Sequence, residues 1–127
     1  MTSIRDLRTF IDALEDAGQL ARIAKPVSMQ HELADVGAAL ERAGAAAGLF
    51  ERPEDSPWPI FCGGVASGRR VAIALGCQPT EIVDVMEHVL EPANGIGPVM
   101  ADVAPWQANT VVGDDVDTSL LPIPVHS

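Results

Sequence analysis

Gly68-Arg69-Arg70-Val71-Ala72-Ile73-Ala74-Leu75-Gly76 is the stretch whose conformation decides the fold. Val71 and Ile73 are β-branched, the run from Val71 to Leu75 is wholly apolar, and glycines close both ends. By β-propensity this is a strand apolar enough to be central in a sheet. The preceding Gly63-Gly64-Val65-Ala66-Ser67 is then a hairpin connection with Arg69 and Arg70 exposed beside it. A phosphate loop is the competing reading of such a turn. It lacks the Gly-Lys-Ser/Thr ending, and a strand follows it where a phosphate loop needs a helix.

Upstream, Pro59-Ile60-Phe61-Cys62 reads as a strand, and Arg52 to Pro59, with three prolines, as a surface loop. Leu49-Phe50-Glu51 and Leu20 to Ala24 are two more short strands. A helix over about 30–43 buries Leu33, Val36, Leu40 and Ala43, with Ser28 as its cap and Gly44 as its stop. The opening helix covers about 4–17, with Ser3 as cap, Asp6 three residues on, and Gly18 as stop. Downstream, Pro79 starts a third helix lined by Ile82, Val83, Met86, Val89 and Leu90, and Pro92 ends it. Residues 93–106 form an ordered Gly- and Pro-rich loop, and Asn109 to Gly113 a last short strand. The expected class is α/β (α+β): a mixed sheet of four to five strands with about three packed helices. Residues 1–113 form the domain, and 114–127 an apolar, proline-containing connector.

The chain has 127 residues, 47% of them hydrophobic and only 4% aromatic, so its core must be built from Ala, Val, Leu and Ile. A net charge of −10 and a pI near 4.4 argue against nucleic acid and against an anionic membrane surface. No apolar run approaches the ~20 residues of a membrane span, and no signal peptide is visible. The expected location is the cytoplasm. Cys62 and Cys77 have no CxxC spacing and read as reduced and buried.

Catalytic constellations are absent from the pattern. His31, His88 and His126 do not cluster, and the adjacent His31 and Glu32 point to different helix faces. Asp114, Asp115 and Asp117 lack the spacing of a calcium loop and read as a solvated acidic turn. No base accompanies either cysteine. No residue is expected to be catalytic, cofactor-binding or metal-ligating.

The end of the chain is unusual. Pro122 and Pro124 fix their own φ and push Leu121 and Ile123 into extended conformations, giving a stiff ribbon with large apolar side chains. Leu120, Leu121, Pro122, Ile123, Pro124 and His126 are the expected interface.

Three stretches together resemble the N-terminal region of the UbiD family of decarboxylases. They are Ile4-Arg5-Asp6-Leu7-Arg8-Thr9-Phe10-Ile11 with Gly18-Gln19-Leu20-Ala21-Arg22-Ile23, then Gly68 to Gly76, then Asp114 to His126. The resemblance implies reversible, non-oxidative decarboxylation of an aromatic, heteroaromatic or α,β-unsaturated acid. It also implies prenylated FMN with Mn²⁺ and a monovalent cation in the full enzyme, and a flavin prenyltransferase as supplier of the cofactor. In the family, the arginine and two glutamates of proton transfer, and the residues holding phosphate and metal, lie after the Pro-Ile-Pro segment. The expectation is a structural N-terminal domain or small subunit of an oligomeric enzyme, binding no cofactor by itself and inactive alone. Its partner would be a catalytic UbiD-type portion. The alternative expectation is a non-enzymatic interaction or assembly module that retains the fold.

Overall fold

The computed structural model of the chain describes residues 4–125. Helix α1 (Leu7–Asp16) is opened by a reciprocal cap. The Thr9 N–H donates to Asp6 Oδ1 at 2.8 Å, and the Asp6 N–H donates to Thr9 Oγ1 at 3.1 Å. Two otherwise orphaned donors are satisfied together. Asp6 is thus the cap itself, and the helix starts later than expected; Ser3, the expected cap, lies outside the described residues. The helix ends at Gly18, whose φ of +65° suits a residue without Cβ.

Strand β1 (Leu20–Ile23), helix α2 (Glu32–Arg42) and strand β2 (Ala47–Phe50) form a parallel β-α-β unit, with Leu20 opposite Ala47 and Ile23 opposite Phe50. Strand β3 (Ile60–Cys62) pairs antiparallel with β2 on its other side. The sheet is mixed, in the order β1-β2-β3, and all four residues of β2 are buried. The period of two along the strands divides the core. Phe10, Leu14 and Ala47 cluster on one face with Leu20, Phe61 and Ile73; Val27, Leu33 and Phe50 cluster on the other with Ile23, Val36 and Ile60. Phe10 meets Phe61 edge to face, with ring centroids 6.1 Å apart.

The stretch from Gly68 to Gly76 is not a strand. It is helix α3 (Gly68–Leu75), packed on α1 by Ile73 and Ala74. Ser67 caps it by accepting from the Arg70 N–H at 3.3 Å. At the other end Gly76 adopts φ +68°, its N–H donates to the Ile73 carbonyl at 3.1 Å, and the Cys77 N–H donates to the Ala72 carbonyl at 3.0 Å. That pair of bonds around a left-handed glycine is a Schellman stop. Two good caps nine residues apart, with Ala72, Ala74, Leu75 and two arginines between them, outweigh the two β-branched residues.

A 3-10 turn (Pro79–Glu81) then runs into α4 (Ile82–Leu90), which Glu91 leaves in an extended conformation before Pro92. Residues 109–113 pair with no strand, and Gly113–Asp115 is a 3-10 turn. The sheet therefore has three strands among the described residues, not four to five, and there are four α-helices instead of three. Helix α2 also starts later than expected. Its cap position is His31, while Ser28 accepts from the Gln30 N–H with Oγ and donates its own N–H to Glu32 Oε2.

Two measurements check this packing. Leu14 is fully buried, so Leu14→Ala should lower the unfolding free energy in urea by about 2.7–5 kcal/mol. On the surface, Arg22 bonds Glu15 at 2.6 Å and Glu51 at 2.9 Å, and its hydrogen bonds hold the Glu15 carboxyl below the usual range. A lowered folded value means stability that is present above the unfolded glutamate pKa and lost as pH falls through the folded one. Glu15→Gln should therefore flatten the acid side of the stability–pH profile and leave its slope near neutral pH unchanged.

Candidate functional site

The Gly-rich turn leads from β3 into a helix after all, but its two arginines are neither equivalent nor both exposed. Arg70 is buried. Its Nη1 donates to the Ala45 carbonyl at 2.9 Å, its Nη2 lies 3.6 Å from Glu41 Oε1, and its Nε has no partner. The guanidinium ties α3 to the end of α2 and to the turn that feeds β2. Gly64 is equally structural: a Cβ there would stand 2.7 Å from the Phe61 ring and 3.1 Å from the Phe10 ring. The turn is shaped to close the aromatic pair.

Arg69 instead lines a cleft of about 780 Å³ between α1, α3 and the turn into α4, together with Thr9, Asp12, Asp16, Cys77 and Gln78. One arginine and two carboxylates are a poor seat for a flavin phosphate. Among the described residues no three His, Cys, Asp or Glu side chains converge to hold a metal. The lining of this cleft thus does not fit a flavin phosphate. Cys62 Sγ fills the space where α2 crosses the sheet, next to Gly37 and Gly48, and burial pushes its thiol pKa up, away from nucleophilic use. His88 lies near Asn94, whose amide donates to the His88 carbonyl at 2.7 Å and to Glu91 at 3.3 Å. Asp117 caps the 3-10 turn Thr118–Leu120, accepting from the Ser119 N–H and hydroxyl, and those bonds lower its pKa.

The feature without an internal use is an apolar arm. From Gly95 to Pro124 the chain forms 3-10 turns joined by irregular backbone. Ile96 is 97% exposed, Met100 95% and Trp106 79%, and Val99 and Val103 are nearly as open. The expected interface continues this surface: Leu120, Leu121 and Ile123 are exposed, Pro122 and Pro124 half-buried, and Leu121 is extended at φ −70°, ψ 128°. His126 lies outside the described residues. Residues 96–106 were not foreseen as part of the surface, because apolar side chains scattered among Gly and Pro carry no period. Helix α4 adds Val83, Met86 and Leu90, a stripe at helical spacing that nothing covers.

Charge is unevenly spread as well. All eight Lys and Arg precede Val71, so the arm carries Asp102, Asp114, Asp115 and Asp117 with no cation. No helix among the described residues is long and apolar enough to cross a membrane. Exposed apolar side chains this numerous along one segment make it a candidate interaction surface.

Residues 11–90 match the family described as the 3-octaprenyl-4-hydroxybenzoate carboxy-lyase N-terminal domain, UbiD_N. Two solved structures of the UbiD-class enzyme HmfF from Pelotomaculum thermopropionicum are similar in fold. An evolved dimeric form in complex with prFMN superposes with a TM-score of 0.75 at 26% identity; a form in complex with FMN gives 0.73 at 25%. Each match covers 95% of this chain but only 28% and 27% of the enzyme chains, so the chain spans under a third of their length.

Arg70→Ala should cost about 1.5–3 kcal/mol of stability, because it removes the buried guanidinium that donates a charged hydrogen bond to the Ala45 carbonyl. Arg69→Ala, on the rim of the cleft, should stay within about 0.5 kcal/mol of the parent in the same denaturant titration.

Proposed function

The chain belongs to the UbiD family through its N-terminal domain, and we propose that it serves as the structural N-terminal domain or small subunit of a UbiD-like carboxy-lyase. The reaction of the assembly is the reversible, non-oxidative decarboxylation of an aromatic, heteroaromatic or α,β-unsaturated acid. Prenylated FMN, Mn²⁺ and a monovalent cation belong to the catalytic portion, and a flavin prenyltransferase supplies the flavin. The assembly is oligomeric and works in the cytoplasm. Residues 1–113 are the domain, and the proline ribbon from Asp114 onward is the joint.

The observation that carries this reading is the uncovered arm, taken together with the length of the similar enzymes. A fold that matches under a third of a flavin enzyme, and leaves Ile96, Val99, Met100 and Trp106 in solvent, has the character of one side of a larger interface. Leu120, Leu121, Pro122, Ile123 and Pro124 extend that side, and His126 follows them in sequence. The arm's acidity supports a cover with an apolar centre and a basic rim.

The test is to mix the chain with the flavin-binding portion of a UbiD-type enzyme. Native mass spectrometry should show a complex retaining its flavin, and the chain should raise CO₂ release or deuterium exchange into the acid. Absence of both association and any effect on turnover refutes the reading. Binding without turnover favours the alternative, an assembly module. The doubly substituted Leu121→Asp, Ile123→Asp chain should unfold within about 0.5 kcal/mol of the parent, since both positions are exposed. It should nevertheless bind the flavin portion more than about tenfold more weakly, as read by titration calorimetry.

A further inference from the structure

The arm is open along its length but fastened where it ends. Val125 runs alongside Gln30 as a parallel bridge. The Val125 N–H donates to the Met29 carbonyl at 2.9 Å, and the His31 N–H donates to the Val125 carbonyl at 3.0 Å. About a hundred residues apart in sequence, the two segments share these two bonds at the mouth of α2.

The segment that receives Val125 is strained. His31 has φ +67° and ψ −45°, and the Glu32 N–H donates back to the Gln30 carbonyl at 2.8 Å. Those dihedrals with a bond from residue i to i+2 define a γ-turn of the rare, strained hand. A histidine pays for that conformation with Cβ crowding that a glycine escapes. His31 makes no side-chain cap bond; the turn around it is spanned locally by the Ser28 N–H on Glu32 Oε2 and the Leu33 N–H on the Ser28 carbonyl, and from outside by Val125. What the turn does is turn the His31 N–H outward to Val125 while the Met29 carbonyl faces the same residue.

We propose that Met29–His31 and Val125 form a clasp, a two-state device in which docking of the returning chain holds His31 in its strained turn. When the clasp opens, His31 relaxes to negative φ and the mouth of α2 and the ribbon come free together. The core is untouched, because neither Val125 nor His31 belongs to either buried cluster. The clasp fixes the footing from which Leu120, Leu121 and Ile123 project. It stands on backbone geometry alone and does not depend on which partner covers the arm.

Amide hydrogen exchange of the full chain by NMR tests it. Ala47, whose N–H donates to the Gln19 carbonyl at 2.9 Å in the fully buried strand, is the core reference. Val125→Pro removes the donor to Met29. The expected result is exchange at the residue 31 amide faster by about tenfold or more, with Ala47 unchanged. His31→Gly relieves the strain, so exchange at the Val125 amide should slow severalfold. Unchanged exchange at residue 31 in Val125→Pro overturns the proposal. So does equal acceleration at Ala47, which would make Val125 part of the global fold. Faster exchange at Val125 in His31→Gly would overturn the claim that the turn is strained.

Discussion

The fold depends on burying four residues, Ala47-Gly48-Leu49-Phe50, on both faces and along both edges. A strand with no solvent contact must have every backbone N–H and C=O paired, so it needs a neighbour on each side. β1 supplies one and β3 the other. Its side chains also need a cover above and below. Ala47 faces Phe10 and Leu14, while Phe50 faces Val27 and Leu33. Gly48 is tightly enclosed, because a Cβ would sit 3.1 Å from the Phe50 ring and 3.2 Å from Cys62 Sγ and would push both aside. The helical layers are the consequence of this one strand, and the buried Arg70 holds the turn just ahead of it by gripping Ala45.

Elements with an unambiguous period were legible from the residues. α1, α2 and α4 carry apolar side chains every three or four positions, and Gly18, Gly44 and Pro92 stop them where expected. β1, β2 and β3 were found to within two residues. α3 was not, and the reason is instructive. An apolar run of five residues has no period to read, so β-branching at Val71 and Ile73 decided the expectation. The information that settles it was at the ends, in Ser67 and in Gly76 with its left-handed φ. A helix between those caps leaves no hairpin and carries Arg70 inward as a buried tie.

The site divides in the same way. The ribbon from Leu120 to Pro124 was legible because proline leaves it few conformations and its side chains are large. The stretch from Ala93 to Trp106 reads as an ordered loop or connector, since glycine and proline dominate its pattern. Only the fold reveals that no element of the domain turns toward it. A sequence says which residues prefer to leave water; it does not say whether the same chain has anything left to cover them. Here the two core clusters are filled by α1, α2 and α3, and the later apolar residues arrive with no face to join.

That surplus has a second consequence, which comes from charge. An apolar surface as open as the arm should drive copies of the chain together. Yet all eight cations lie in the first 70 residues, and the arm carries four aspartates. Two arms brought face to face would set like charges against each other in the region where water is being expelled, and desolvation makes that repulsion costly. Apolar contact favours any cover, whereas the aspartates favour a cover of opposite sign. The acidity therefore biases this exposed apolar segment toward a cover of opposite charge and against a second copy of itself.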